Sequence, residues 1–209
     1  SDDTQVEDDA IAALVSHHVA LTPTLVVAEH EFTLPDIVRD GSPAFPLTPT
    51  LMRRFWISSQ IANANAAAMG PDESARRRAR LERLKRLTGR FYRAGGRVLA
   101  GTDAPAYLVA PGFDMHRELE LLVASGLSPA EALCSATSEA AAALGRASDI
   151  GGLAPGMRAD LLIVKGDPLA GMAGDASWVS ATRRCRIVVK DGRVLVDRTP
   201  KLTGVGASQ

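Results

Sequence analysis

The chain has 209 residues, with 24 Lys plus Arg balanced by 24 Asp plus Glu and 46% hydrophobic residues. That is enough for one sizeable domain or a domain with an appendage, and the even charge supplies no global field for nucleic acid or anionic lipid, so neither partner is expected. No apolar run approaches a membrane span, Cys134 and Cys185 form no C-x-x-C motif, and residues 1–9 carry no signal-peptide pattern. Because the first residue is Ser1, the sequence reads as a processed chain or a piece of a longer one.

In chain order, residues 6–18 have helical spacing at Ile11, Leu14, Val15 and His18, with Glu7, Asp8 and Asp9 in the first turn where the helix dipole favours carboxylates. Residues 19–27 are expected to form a strand with an irregularity at Pro23. His17 and His18 are adjacent, so on a helix they point about 100° apart and make poor partners for one ion. Residues 30–50, with four prolines and Gly41, are expected to form a long irregular loop. Helices are expected over 49–68 and 71–94. Leu84, Leu87 and Phe91 form the buried stripe of the second, and Arg76, Arg77, Arg78, Arg80, Arg83, Lys85 and Arg86 its solvated face.

Residues 98–100 form a short apolar run that leads into Gly101, Thr102, Asp103, Ala104 and Pro105. An unalternating apolar run suits a strand buried on both faces in a parallel sheet, and such sheets place their chemistry at the strands' carboxyl ends. Asp103 stands at that end, and is either a turn or helix cap or a site carboxylate. A helix follows from about residue 113, with Leu119, Leu122 and Val123 on its apolar face. His116 lies near its start, and Glu120, four residues on, is placed to share a face with it. Ser128, Pro129 and Glu131 spell a capping box ahead of a helix expected to run to Gly145. Beyond residue 150 the composition turns to glycine-rich turns and short strands, with Asp191-Gly192 between two apolar runs as a hairpin signal.

Three segments together resemble the metal-dependent amidohydrolases, specifically the imidazolonepropionase-like group that includes Xaa-Pro and other dipeptide or N-acyl amino-acid hydrolases. They are Gly101-Thr102-Asp103-Ala104-Pro105; His116 to Leu122 with Ser128 to Leu133; and Gly152 to Leu161 with Gly166-Asp167-Pro168-Leu169. The resemblance implies an α/β fold, the C-terminal portion of a (β/α)8 TIM-like barrel plus part of a small β-sandwich domain. Residues 1–150 would carry strands seven and eight with their helices, and residues 151–209 part of the sandwich. It implies that Asp103 is both catalytic and a metal ligand, that His116 binds substrate, and that a divalent metal, zinc, is the cofactor. The expected substrate is a small amide, dipeptide, N-acyl amino acid or cyclic amide, cleaved at a C–N bond by metal-activated water.

The family's remaining ligands are a His-x-His after strand one, a lysine or glutamate after strand four, and histidines after strands five and six. They have no counterpart in these 209 residues. A zinc centre takes about three protein ligands, so the isolated chain is expected to be inactive without the N-terminal half of the barrel. A homo-oligomer is one further arrangement. The alternative is a non-catalytic truncated remnant that acts only as a binding or scaffold module. A phosphate-loop reading of Gly101-Thr102-Asp103 has no G-x-G-x-x-G or P-loop behind it, and a serine or cysteine hydrolase has no G-x-S-x-G elbow.

Overall fold

The computed structural model describes residues 2–41, 44–58, 69–169 and 184–199. The elements in order are α1 (Asp2–Ser16), β1 (Ala20–Leu21), α2 (Leu25–Asp40), α3 (Thr50–Ser58), α4 (Pro71–Arg93), β2 (Arg97–Val98), α5 (Met115–Ala124), α6 (Pro129–Ser135), α7 (Ser138–Ala143), β3 (Leu161–Val164), β4 (Cys185–Lys190) and β5 (Arg193–Asp197). β1 and β2 pair in parallel, with Ala20 opposite Arg97 and Leu21 opposite Val98. The ladder continues as Leu99 N donates to the Leu21 carbonyl at 2.9 Å. Around this pair lies the main core, in which Leu25, Val26, Phe91, Val98, Val109 and Leu122 are buried. No helix among the described residues is long and apolar enough to cross a membrane.

The run expected to be one strand over 19–27 is strand only at Ala20–Leu21. Thr24 enters the left-handed region (φ 48°) and α2 begins at Leu25. Its apolar first turn mimics a strand in sequence because Leu25 and Val26 are wholly buried. α2 also replaces most of the loop expected over 30–50. It contains Pro35, whose missing N–H leaves the Glu31 carbonyl without its helical partner. Arg77 from α4 donates to that carbonyl at 2.8 Å, which satisfies the orphaned acceptor from outside the helix. Of the helix expected over 49–68, Thr50–Ser58 is present, and residues 59–68 lie outside the described residues.

α4 matches its expected span closely, with Pro71 at the first helical position and Asp72 and Glu73 in the first turn. Its buried stripe is led by Leu81 and Phe91, while Leu84 and Leu87 are half-buried. Many of its basic side chains are engaged within the chain. Arg76 and Arg77 pair with Glu73, Arg80 with Glu31, and Arg83 and Arg90 with Glu7. Arg78 lies over the Phe32 ring at 4.7 Å. His17 and His18 are exposed where α1 ends. Both cysteines are free thiols.

The capping box forms: Ser128 Oγ accepts from Glu131 N, and Glu131 accepts from Ser128 N at 2.7 Å. The helix expected to continue to Gly145 instead breaks at Thr137 (φ −130°, ψ −92°) into α6 and α7. Gly151 passes against this break, where a Cβ would meet the Thr137 carbonyl at 2.8 Å and Ala141 Cβ at 2.5 Å. After it, β3, β4 and β5 form an antiparallel sheet in that order. The hairpin turns at Asp191 (φ 51°) and Gly192 (φ 76°). Asp160 holds this turn, accepting from Asp191 N at 2.7 Å and pairing with Lys190, and Asp167 Oδ1 accepts from Leu169 N. The conspicuous acids of the 152–169 segment are therefore structural.

Candidate active site at the carboxyl ends of the parallel strands

The two parallel strands end beside one another, and the approach is close. A Cβ on Gly101 would meet Thr22 Cγ2 at 2.4 Å, so the strand-to-loop exit of β2 passes the exit of β1 only without a side chain. Thr102 is buried and Asp103 is exposed, which brings the carboxylate out of the core at the rim. Asp103 is left-handed (φ 49°), its carbonyl accepts from Ala106 N at 2.9 Å, and the Ala104–Pro105 bond is cis. Tyr107 (φ 47°) and Leu108 (φ 63°) are left-handed as well. Three such non-glycine residues in one short loop cost about 1–2 kcal/mol each, and strain of this kind collects at functional sites.

Several contacts hold the loop. Leu108 is buried with Leu34 and Trp56 in a second apolar cluster. Further on, Asp114 turns its carboxylate back to accept from Ala110 N at 2.6 Å. His30 of α2, 8% exposed, has its Nδ1 2.9 Å from the Tyr107 carbonyl. A carbonyl only accepts, so Nδ1 carries the hydrogen.

The helix after the loop is fastened to α2. Glu118, 0% exposed, accepts from Leu25 N (3.0 Å) and Val26 N (2.8 Å), two of the amides a helix N-terminus leaves without partners. Thr24, at the N-cap position, makes no side-chain cap bond, so Glu118 performs that role from another helix. Burial pushes the Glu118 carboxyl up to about 7, against the pull of the two amides, with the negative charge of Glu29 adding to the rise. Arg117 forks onto Glu29 (2.7 and 2.6 Å) and also reaches Glu120 at 2.5 Å. This pairing raises the already high Arg117 pKa. Glu120 is thus bonded to Arg117.

Of the expected site residues, Asp103 and His116 bracket the same loop, His116 half-buried in the first turn of α5. The sequence reading missed Glu118 and His30. Each has a signal: Glu118 occupies the apolar stripe with Leu121, Leu122 and Ser125, and His30 the stripe with Val26 and Leu34. A polar residue at a core position needs a buried partner.

Among the described residues, no group of three or more His, Cys, Asp or Glu converges as a metal centre. Asp103 fits one place in such a centre, being an exposed oxygen donor at the end of a parallel strand, and the described residues do not complete it. A groove of about 610 Å³ runs between α6 and β3, lined by Leu133, Thr137, Leu161 and Ile163 among others. Asp103 and His116 are not among the residues that line it.

The amidohydrolase family pattern matches residues 7–195, and the chain belongs to that family. A bottromycin amidohydrolase has 28% identity over 91% of this chain and 41% of its own, with a TM-score of 0.64. A Bifidobacterium longum protein described as a prolidase has 27% identity, with 88% of this chain and 36% of its own covered and a TM-score of 0.54. An Xaa-Pro dipeptidase with methionine bound in its active site has 23% identity over 90% of this chain and 37% of its own, with a TM-score of 0.56, a likeness of fold alone. The chain therefore spans well under half the length of these solved relatives. Among curated proteins none matches it. The relatives make the architecture part of a barrel-type α/β fold, in agreement with the parallel β1–β2 pair and its helices.

Proposed function

We infer that this chain is the C-terminal part of a hydrolase that cleaves a C–N bond in a small amide or peptide, with Asp103 as its catalytic carboxylate. The observation that carries this reading is Asp103 itself: an exposed acid at the carboxyl end of a parallel strand, on a strained loop, in a chain that matches the amidohydrolase pattern over residues 7–195. In this reading residues 1–150 are the last part of the barrel and residues 151–209 part of a small β-sandwich, both completed by residues beyond these 209.

The same reading gives Asp103 two roles, ligand and proton carrier. A divalent ion such as zinc, held there together with ligands from the completing residues, supplies polarisation of the amide carbonyl and acidification of water. An Asp103 oxygen accepts the proton of the attacking water as the new C–O bond forms. It returns that proton to the nitrogen as the C–N bond breaks. Its exposure keeps it within reach of substrate, and the loop backbone fixes where it stands. His116, across the loop, is the proposed substrate contact. Bottromycin amidohydrolase and the prolidase-type relative support an amide or Xaa-Pro substrate class.

The test is to extend the encoding frame upstream of Ser1 and assay the intact product against Xaa-Pro dipeptides and N-acyl amino acids, with and without a chelator. This reading expects a longer frame with a His-x-His and further histidines, and chelator-sensitive hydrolysis that the 209 residues alone lack. A frame that starts at Ser1, with no hydrolysis, favours the binding or scaffold module.

A further inference from the structure

We propose that His30 is a positioning residue for the Asp103 loop, its Nδ1–H fixing the Tyr107 carbonyl and, through it, the strained turn on which Asp103 stands. That Asp103 is the group positioned rests on the functional reading above; the link itself does not.

The argument begins at Glu118. Its buried carboxylate pins Leu25 N and Val26 N, and so fixes where α2 starts. His30 lies one helical turn beyond Val26, on the same face, and inherits that placement. The imidazole is buried and its donor meets the Tyr107 carbonyl at 2.9 Å. Tyr107 is one of two consecutive left-handed residues, a conformation a tyrosine adopts only when its surroundings impose it. Around it, Ala106 N returns to the Asp103 carbonyl and Val109 N to the Ala106 carbonyl, both at 2.9 Å, so the peptide that His30 holds lies inside the second of two consecutive turns that share Ala106, the first of which starts at Asp103. Leu108 anchors the same turn by packing. Packing is non-directional, whereas the hydrogen bond sets which way the 107–108 peptide faces. The loop is thus held from α2, the element that leaves the neighbouring strand, and Glu118 on the loop's own downstream helix closes the circuit.

The test uses His30→Ala and His30→Asn. Asparagine places its amide nitrogen close to the position of Nδ1 and can donate to the same carbonyl. In the 209-residue chain, His30→Ala is expected to speed amide hydrogen exchange at Ala106 and Val109 by about tenfold, with His30→Asn restoring most of the protection. In the intact hydrolase, His30→Ala is expected to lower kcat by about 10- to 100-fold with KM little changed, again restored by asparagine. Exchange at wild-type rates in a folded His30→Ala would overturn the proposal, as would failure of a fully stable His30→Asn to restore it. If His30→Ala does not fold, nitrogen NMR of the unaltered chain decides: a proton on Nδ1, coupled to the Tyr107 carbonyl, supports the link, and a proton only on Nε2 contradicts it. Exchange and NMR read the link without any activity, so an absent hydrolase activity would count against the functional reading and leave this inference standing.

Discussion

The rim around β1 and β2 and the sheet formed by β3, β4 and β5 handle their exposed chemistry in opposite ways. At the rim, each awkward group has a distant partner. The first amides of α2 meet Glu118, the Glu31 carbonyl freed by Pro35 meets Arg77, and the Tyr107 carbonyl meets His30. The C-terminal sheet has sound local chemistry, with Asp160 holding the hairpin turn, but it leaves apolar side chains uncovered. Leu162 and Leu195 are 67% and 63% exposed, and Ile163, on the face of β3 opposite to Leu162, is 50% exposed. Three strands with apolar residues on both faces need a layer on each side. Among the described residues, the buried polar groups of the rim find partners within the chain, while apolar side chains of the sheet stay exposed on both faces.

Breaking the rim has the largest expected effect. Glu118→Ala strands two buried amides and leaves a void, a loss of about 3 kcal/mol measurable as a lower urea midpoint. Gly101→Ala forces a methyl against Thr22 Cγ2 and is expected to cost about 1–3 kcal/mol. Adding Thr22→Ser removes that methyl and should recover most of the loss, a coupling that a double-mutant cycle on melting temperature reads directly.

The pH dependence is a subtler probe. The Glu118 carboxyl is raised to about 7 in the folded chain from its ordinary value of 4.5. Between these limits the folded state holds a proton that the unfolded state has released, so this group's contribution to stability falls as pH rises from about 4.5 to 7. Other carboxylates, Glu7, Glu73, Asp149 and Asp160 among them, are lowered by cationic partners and act in the opposite sense. The difference between wild type and Glu118→Gln across that window therefore isolates the effect, and the glutamine chain is expected to lack this falling component. The smallest change is on the sheet. Leu162→Thr with Leu195→Thr is expected to alter stability by less than about 0.5 kcal/mol while reducing self-association, seen by light scattering.

What was legible in the sequence was local. The capping box at Ser128, the span of α4 and the Asp191-Gly192 hairpin each depend on residues a few positions apart, and each formed as expected. Asp103 stood out as a candidate for the same reason, as an acid two residues beyond the glycine that ends an apolar run. The start of α2 was not visible, because its cap comes from a residue more than 90 positions away. A leucine followed by two valines then looks like strand, and Pro35 looks like the end of any helix. The break at Thr137 likewise depends on Gly151, which packs back against it. Glu118 and His30 were missed because a lone polar residue in an apolar stripe announces a buried partner without naming it.

The central claim rests on Asp103, and Asp103→Asn in the intact hydrolase tests it most directly. Asparagine keeps the size and tolerates the left-handed backbone at φ 49°, and the side chain is exposed, so the melting temperature is expected to stay where it was. If Asp103 carries the proton, kcat/KM for a cleaved amide or dipeptide falls by about 10²- to 10⁴-fold with the fold intact. A variant that hydrolyses the same substrate at the wild-type rate would contradict the account.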